Sequence, residues 1–150
     1  MLVEGAIVIK RPIEEVFDFV ADERNEPKYN PQMMLAEKVT DGPVGVGTRF
    51  HSVVTSRGGA AEMMIEFTQF DRPRRIVEMT QVSNVMVIDG ELRFEAVAEG
   101  TKMNWLWNLQ PRGLYRLLGP IIRATGKRQE LAVWTGLKEL LEEQSHGYTA

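Results

Sequence analysis

The sequence predicts an α+β domain in which a curved antiparallel sheet packs against one long C-terminal helix. From about residue 35 to residue 109, apolar and polar residues alternate with the period of a strand, and short turn signals separate the segments. From residue 114 to residue 143 the apolar spacing is helical instead. Links this short make neighbouring strands antiparallel, and the apolar face of such a sheet needs a covering element.

The N-terminal part predicts one strand and two short helices. Residues 3–9 are apolar enough for a strand. Pro12 stands where the first turn of a helix tolerates proline, and Glu14 and Glu15 suit the positive end of the helix dipole. The apolar stripe of this helix is Ile13, Val16, Phe17 and Val20. Residues 22–31 are polar with two prolines, so a second short helix or an irregular link is expected.

Six further strands are predicted at residues 35–39, 48–55, 62–70, 75–82, 85–97 and 102–109. The C-terminal pattern then contains two stripes, Leu114, Leu117, Leu118, Ile121 and Ile122 first, and Val133, Trp134, Leu137 and Leu141 second. At 100° per residue the two stripes are rotated by roughly 130°. One straight helix cannot turn both to the sheet, so we expect a kink at Gly119-Pro120 or at Gly126.

Composition narrows the functional classes. The 150 residues predict a single domain spanning 1–150, and a net charge of −3 argues against a nucleic-acid partner. No run approaches the ~20 apolar residues of a membrane span. The N-terminus lacks the plan of a signal peptide, so a cytoplasmic location is expected.

Chemical motifs narrow them further. With no cysteine and only His51 and His146, a metal site is not expected. The sequence has no P-loop, no dinucleotide-binding glycine pattern and no Gly-x-Ser-x-Gly elbow, so we expect no cofactor.

Several segments resemble the polyketide cyclase/dehydrase and lipid-transport family. That family belongs to a larger superfamily that includes START lipid-transfer domains and birch-pollen-type allergens. The similar segments are Ile9-Lys10-Arg11-Pro12-Ile13-Glu14-Glu15-Val16-Phe17, Tyr29-Asn30-Pro31, Gly45-Val46-Gly47-Thr48-Arg49-Phe50, Phe94-Glu95-Ala96-Val97 with Gly100-Thr101, and Leu137-Lys138-Glu139-Leu140-Leu141-Glu142. The resemblance implies a helix-grip fold, a seven-stranded antiparallel sheet around the C-terminal helix with an apolar cavity between them.

The resemblance leaves three functions open. The first is binding or transport of an apolar or amphipathic small molecule, and the second is a polyketide cyclase or dehydratase. The third is contact with a membrane or partner through residues 112–128, which carry five basic residues and no acid. A solvated face explains such a run more simply. An enzyme should bring at least two polar groups together in its cavity, and Glu130 is the one well-supported inward candidate, which favours binding.

Glu130 is the polar residue most out of place, because it begins the second helical stripe. A carboxylate facing an apolar cavity would have a raised pKa and could act as a general acid or anchor a ligand. The simpler interpretation, which the rarity of buried carboxylates favours, is that Glu130 stays solvated or pairs with Lys127.

The other candidate ligand contacts are apolar or aromatic. Trp105 and Trp107 share one sheet face, where they could line a pocket or form ordinary core beneath the helix. On the same reasoning the further candidates are Met103, Leu92, Phe94 and, on the first helical stripe, Ile121. Tyr29, Asn30 and Tyr115 could rim the cavity mouth or lie on a plain surface. The alternation around His51 does not fix which sheet face it occupies.

Overall fold

A computed structural model describes residues 1–56 and 58–146 and contains one seven-stranded sheet. The strands are β1 (Leu2–Ile9), β2 (Met33–Lys38), β3 (Arg49–Ser56), β4 (Gly59–Asp71), β5 (Arg75–Val82), β6 (Met86–Val97) and β7 (Gly100–Pro111). The helices are α1 (Ile13–Ala21), a 3₁₀ helix that we call the linker helix (Glu23–Lys28), a second 3₁₀ helix that we call the leucine segment (Gly113–Leu118), and α2 (Gly119–His146).

All neighbouring strands are antiparallel, in the order β1-β7-β6-β5-β4-β3-β2. The chain therefore passes from one edge of the sheet to the other between β1 and β2, and α1 and the linker helix make that passage. The two short helices after the first strand, the antiparallel sheet and the long C-terminal helix together form the helix-grip fold that the family resemblance implied.

The core lies between the inner face of the sheet and the helices. From α1, Phe17 is fully buried and packs edge-on against Phe70 and Phe94, with ring centroids 5.3 and 5.1 Å away. From α2, the second stripe supplies the buried Trp134, Leu137 and Leu141. The second stripe is thus the one that faces the sheet.

The observed strands extend beyond the predicted ones at their hairpin ends. β4 begins at Gly59, paired with Ser56, and β7 continues to Pro111, paired with Met86. The sequence prediction stopped where apolar alternation stopped, but backbone pairing in a hairpin does not require an apolar side chain.

The C-terminal helical region divides at Gly119, where the 3₁₀ leucine segment gives way to α2, and α2 runs through Gly126 without interruption. The break is therefore at the first of the two expected places. The expectation that both stripes face the sheet is wrong, because Leu114 and Leu117 are 81% and 80% exposed. The part of the first stripe that lies on the leucine segment, before the break, projects into solvent, whereas Ile122 on α2 packs against the core. No helix in the described part of the chain is long and apolar enough to cross a membrane.

Candidate functional site

A cavity of about 450 Å³ lies between the inner face of the sheet, α2 and the linker helix, within the size range of small-molecule sites. Most of its wall is apolar. The apolar lining residues are Val3, Val54, Met63, Ile65, Val82, Met86, Ile88, Leu92, Trp107, Leu109, Ile121, Ile122, Val133 and Trp134. The polar lining residues are Glu23, Glu26, Asn30, Gln32, Thr55, Glu78, Thr80, Thr125, Gln129 and Glu130.

The polar part of the wall contains four glutamates from three separate elements. Glu23 and Glu26 come from the linker helix, Glu78 from β5 and Glu130 from α2. Among the described residues no lysine, arginine or histidine lines the cavity. Within the part of the chain that the structure describes, the four carboxyl groups therefore share the cavity wall without a basic partner.

Glu130 is held by two tryptophans. Its Oε2 atom accepts a hydrogen bond from Nε1 of Trp107 at 2.7 Å and another from Nε1 of Trp134 at 2.8 Å. Burial raises the pKa of Glu130 to about 7, even though both indole hydrogen bonds favour the charged form. The favoured sequence interpretation, a solvated Glu130 or a pair with Lys127, is wrong because the side chain turns inward to the indoles.

Glu78 lies on the inner face of β5, which alternates between buried and more exposed positions. Burial, with the nearby charges of Glu26 and Glu130, raises its pKa to about 8. Sequence reasoning missed this residue, although a signal was present. Ile76 and Val82 are two and four residues away on the same face, so period-two spacing places Glu78 inside.

Glu23 and Glu26 form an acidic pair in the linker helix. Burial and the neighbouring charges of Glu26 and Glu78 raise the pKa of Glu23 well above its ordinary value. Glu26 accepts a hydrogen bond from Nδ2 of Asn30 at 3.0 Å, and burial raises its pKa too. The Oε2 atom of Glu23 is buried without a hydrogen-bond partner. No periodic pattern in a polar 3₁₀ segment could have revealed this pair.

Gly136 of α2 lets the linker helix approach closely enough to place its glutamates in the cavity. A Cβ atom at position 136 would lie 2.7 Å from the backbone oxygen of Tyr29, a distance that real Cβ atoms do not show. The ring of Tyr29 is buried with its centroid 6.1 Å from that of Trp134. On its other side the linker helix is joined to α1, because Nδ2 of Asn25 donates a hydrogen bond to the backbone oxygen of Phe19 at 3.0 Å.

Gly90 makes the corresponding space for Trp107. The two residues are cross-strand partners on β6 and β7, and a Cβ atom at Gly90 would lie 2.0 Å from Cζ3 of the indole. The ring therefore lies across the glycine, with its N–H directed at Glu130. Trp105 lies across Gly5 of β1 in the same way.

The structure separates the predicted contact residues into three groups. Leu92, Trp107, Ile121 and Glu130 line the cavity. Met103, Trp105, Phe94 and Tyr29 are buried in the core, outside the lining. Tyr115 is 46% exposed on the leucine segment and does not line the cavity, whereas Asn30 is buried and does.

His51 lies on the outer face of β3, since Phe50 and Ser52 on either side are fully buried. Its Nδ1 atom is 2.9 Å from Oε1 of Glu37 on β2. This resolves the facing of His51 and separates it from the cavity. Within residues 1–56 and 58–146, no three His, Asp or Glu side chains are placed to hold a metal ion.

The family model described as "Polyketide cyclase / dehydrase and lipid transport" matches residues 2–142. The chain belongs to this family. A comparison with functionally curated proteins finds no match.

Solved structures with the same fold are distant in sequence. The chain is 18% identical to TTHA0849 from Thermus thermophilus, with a TM-score of 0.83 over 97% of this chain and 99% of that one. It is 13% identical to a START superfamily protein from Mycobacterium smegmatis, with a TM-score of 0.81 over 95% and 98%. Ara h 8.0201 is 15% identical, with a TM-score of 0.74 over 95% and 98%. These likenesses show a shared fold.

Proposed function

We propose that this protein binds an apolar or amphipathic small molecule in the cavity between the sheet and α2, as a carrier or sensor. The observation that carries the proposal is an apolar wall around about 450 Å³ of space. A ligand that covers such a wall gains roughly 25 cal/mol for each Å² removed from water. Membership of a family that includes lipid-transport proteins supports the same conclusion.

Gly126 offers a direct test, because it lies in the cavity wall on α2. A Cβ atom there would meet Leu109 at 3.6 Å and Val3 at 3.7 Å, which are ordinary contacts. Gly126→Ala should therefore fold and keep the cavity, whereas Gly126→Phe should fill part of it. We expect the neutral probe N-phenyl-1-naphthylamine to bind wild type with micromolar affinity, about −8 kcal/mol.

The phenylalanine variant should lose most of this binding and the alanine variant should keep it. Equal binding to all three proteins would place the probe outside the cavity and contradict the proposal. Separately, native mass spectrometry of protein purified from its source would identify any small molecule that co-purifies with it.

A second candidate function, a cyclase or dehydratase, is favoured by the pKa values of Glu130 and Glu78, about 7 and about 8. Carboxyl groups in this range can both donate and accept a proton near neutral pH. Sequence reasoning expected an enzyme to bring two polar groups together, and the cavity brings together four carboxyls.

The enzyme hypothesis can be tested by incubating wild type and Glu130→Gln with a cyclisable β-diketo thioester. Product that has lost water, formed by wild type alone, would favour the enzyme. Equal rates with and without protein would exclude it for this substrate.

Contact with an anionic lipid surface is the remaining candidate, and the exposed leucine segment favours it. Leu114 and Leu117 project into solvent, and Ile121, 64% exposed, also lines the cavity. Arg112 and Arg116 are exposed beside them. Apolar side chains flanked by basic ones suit the interface of an anionic membrane.

Vesicle sedimentation tests this contact. Wild type should bind vesicles that contain phosphatidylglycerol and not those of phosphatidylcholine alone. A Leu114→Ser/Leu117→Ser variant should lose binding without loss of stability, because both side chains are already in water. Binding that is unchanged in this variant would remove the leucine segment from the interaction.

A further inference from the structure

Among the described residues, no basic side chain lines the cavity to compensate the charge of its four carboxyl groups. The titratable groups that face one another are Glu23 and Glu26 of the linker helix, Glu78 of β5, Glu130 of α2, and the neighbouring hydroxyl of Tyr29. Among the described residues, β1, β3, β4, β6 and β7 contribute no titratable side chain to the lining. Charge balance must therefore come from protons or from a ligand.

Glu23 supplies an independent sign that a ligand belongs here. The residue is 8% exposed and lines the cavity, yet its Oε2 atom has no hydrogen-bond partner. An unpaired buried acceptor is costly, and such atoms are rare in folded proteins. A hydrogen-bond donor that enters the cavity would satisfy it.

The surroundings limit the kind of donor. An anionic ligand would be repelled by the carboxylates, and the described side chains do not form a metal site. An ammonium group fits better, because it carries positive charge and up to three N–H donors. Another part of the wall is apolar and would contact the hydrocarbon part of the ligand; it includes Met63, Ile65 and Leu92.

We propose that the cavity selects cationic amphiphiles, amines with an apolar body, whose ammonium group lies among Glu23, Glu26, Glu78 and Glu130. This inference rests on the proposed binding function and specifies its ligand class. The indole rings of Trp107 and Trp134, which hold Glu130, add aromatic surface next to the cation.

Ammonium binding is coupled to proton release. In the free protein, burial and neighbouring charges raise the pKa of Glu78 to about 8 and that of Glu130 to about 7, so both carboxyls bind protons near neutral pH. A bound ammonium favours the charged carboxylates, so protons leave when it enters. A neutral ligand produces no such change.

Decylamine, decan-1-ol and decanoate test the inference, since they share one alkyl chain and differ in the head group. Isothermal titration calorimetry near pH 7 in two buffers of different ionisation enthalpy gives both the affinity and the number of protons released. We expect decylamine to bind about ten- to hundredfold more tightly than decan-1-ol, because hydrogen bonds to charged groups contribute more free energy than those between neutral groups. We expect decylamine to release protons and decanoate to bind most weakly.

Glu130→Gln supplies the variant test and Glu139→Gln the control, because Glu139 is exposed on the same helix. Glutamine keeps an oxygen that can accept both indole hydrogen bonds but removes the charge. The ratio of amine to alcohol affinity should fall by about tenfold or more in Glu130→Gln, the effect of one charge-assisted hydrogen bond. The ratio should be unchanged in Glu139→Gln.

The outcomes separate this inference from the binding function. If decan-1-ol binds in the cavity but decylamine binds no better or releases no protons, ligand binding stands and the choice of amines is overturned. Tighter binding of decanoate, or an unchanged ratio in Glu130→Gln, overturns it as well. If none of the three compounds binds, the proposed function fails together with the inference.

Discussion

Glu130→Gln should make the protein more stable above neutral pH, although it replaces a residue that makes two hydrogen bonds. The pKa of Glu130 rises on folding from an ordinary value of 4.5 to about 7. A group whose pKa is raised by folding supports the fold fully below pH 4.5, and this support is lost as the pH rises through about 7. The unfolded chain binds fewer protons than the native protein in that interval, so stability falls with rising pH.

The size of this stability change follows from the difference between the folded and unfolded pKa values of Glu130. From 4.5 to about 7, at about 1.4 kcal/mol for each pH unit, wild type loses about 3 kcal/mol of unfolding free energy through Glu130. The glutamine side chain does not ionise, so Glu130→Gln should lose none of it. The difference between the proteins should grow by about 3 kcal/mol across this interval and then level off.

Urea unfolding followed by far-ultraviolet circular dichroism, at several values from about pH 4.5 to about pH 9, measures this difference. Glu139→Gln, at an exposed position of the same helix, is the control substitution. If the stability difference between Glu130→Gln and wild type is constant across the interval, or shrinks as the pH rises, the conclusion that burial raises the pKa of Glu130 is refuted.

Three further substitutions test the packing around the site. Gly136→Ala should lose about 1–3 kcal/mol of unfolding free energy despite its better helix propensity, because its Cβ would lie 2.7 Å from the Tyr29 oxygen; stability equal to wild type would contradict the close approach. Trp107→Phe removes an N–H donor that favours the charged form of Glu130, so the Glu130 pKa should rise above about 7 in a carboxyl-carbon NMR titration. An unchanged titration would mean that this hydrogen bond is absent in solution. Leu137→Ala, at a fully buried position, should lose about 2–5 kcal/mol in urea unfolding, and a loss below about 1 kcal/mol would show that α2 is packed loosely.

Much of the fold was predictable because its determinants are local and periodic. The alternation on β7 placed Trp105 and Trp107 on one face of the sheet. The helical spacing on α2 placed Trp134 and Leu137 on one face of the helix. Short turn signals then required antiparallel neighbours. A burial pattern that repeats every two residues, or every three to four, can be read from one sequence without knowledge of distant contacts.

The candidate site was only partly predictable. Glu130 stood out on an apolar stripe, but its contact with Trp107 depends on how α2 packs against β7, and only Trp134 is a neighbour on the same helix. Glu78 shared the period of its buried neighbours and could have been recognised on β5. Glu23 carried no such signal, since its burial depends on the approach that the linker helix makes to α2.

The sequence by itself determined which faces of β7 and α2 are apolar, because side-chain alternation follows directly from backbone geometry. Only the tertiary structure decided that the leucine segment turns to solvent and that four glutamates meet in one cavity. Their convergence requires three elements, the linker helix, β5 and α2, to pack at fixed distances. The raised pKa values of Glu78 and Glu130 come from burial and from the neighbouring charges that this packing brings together.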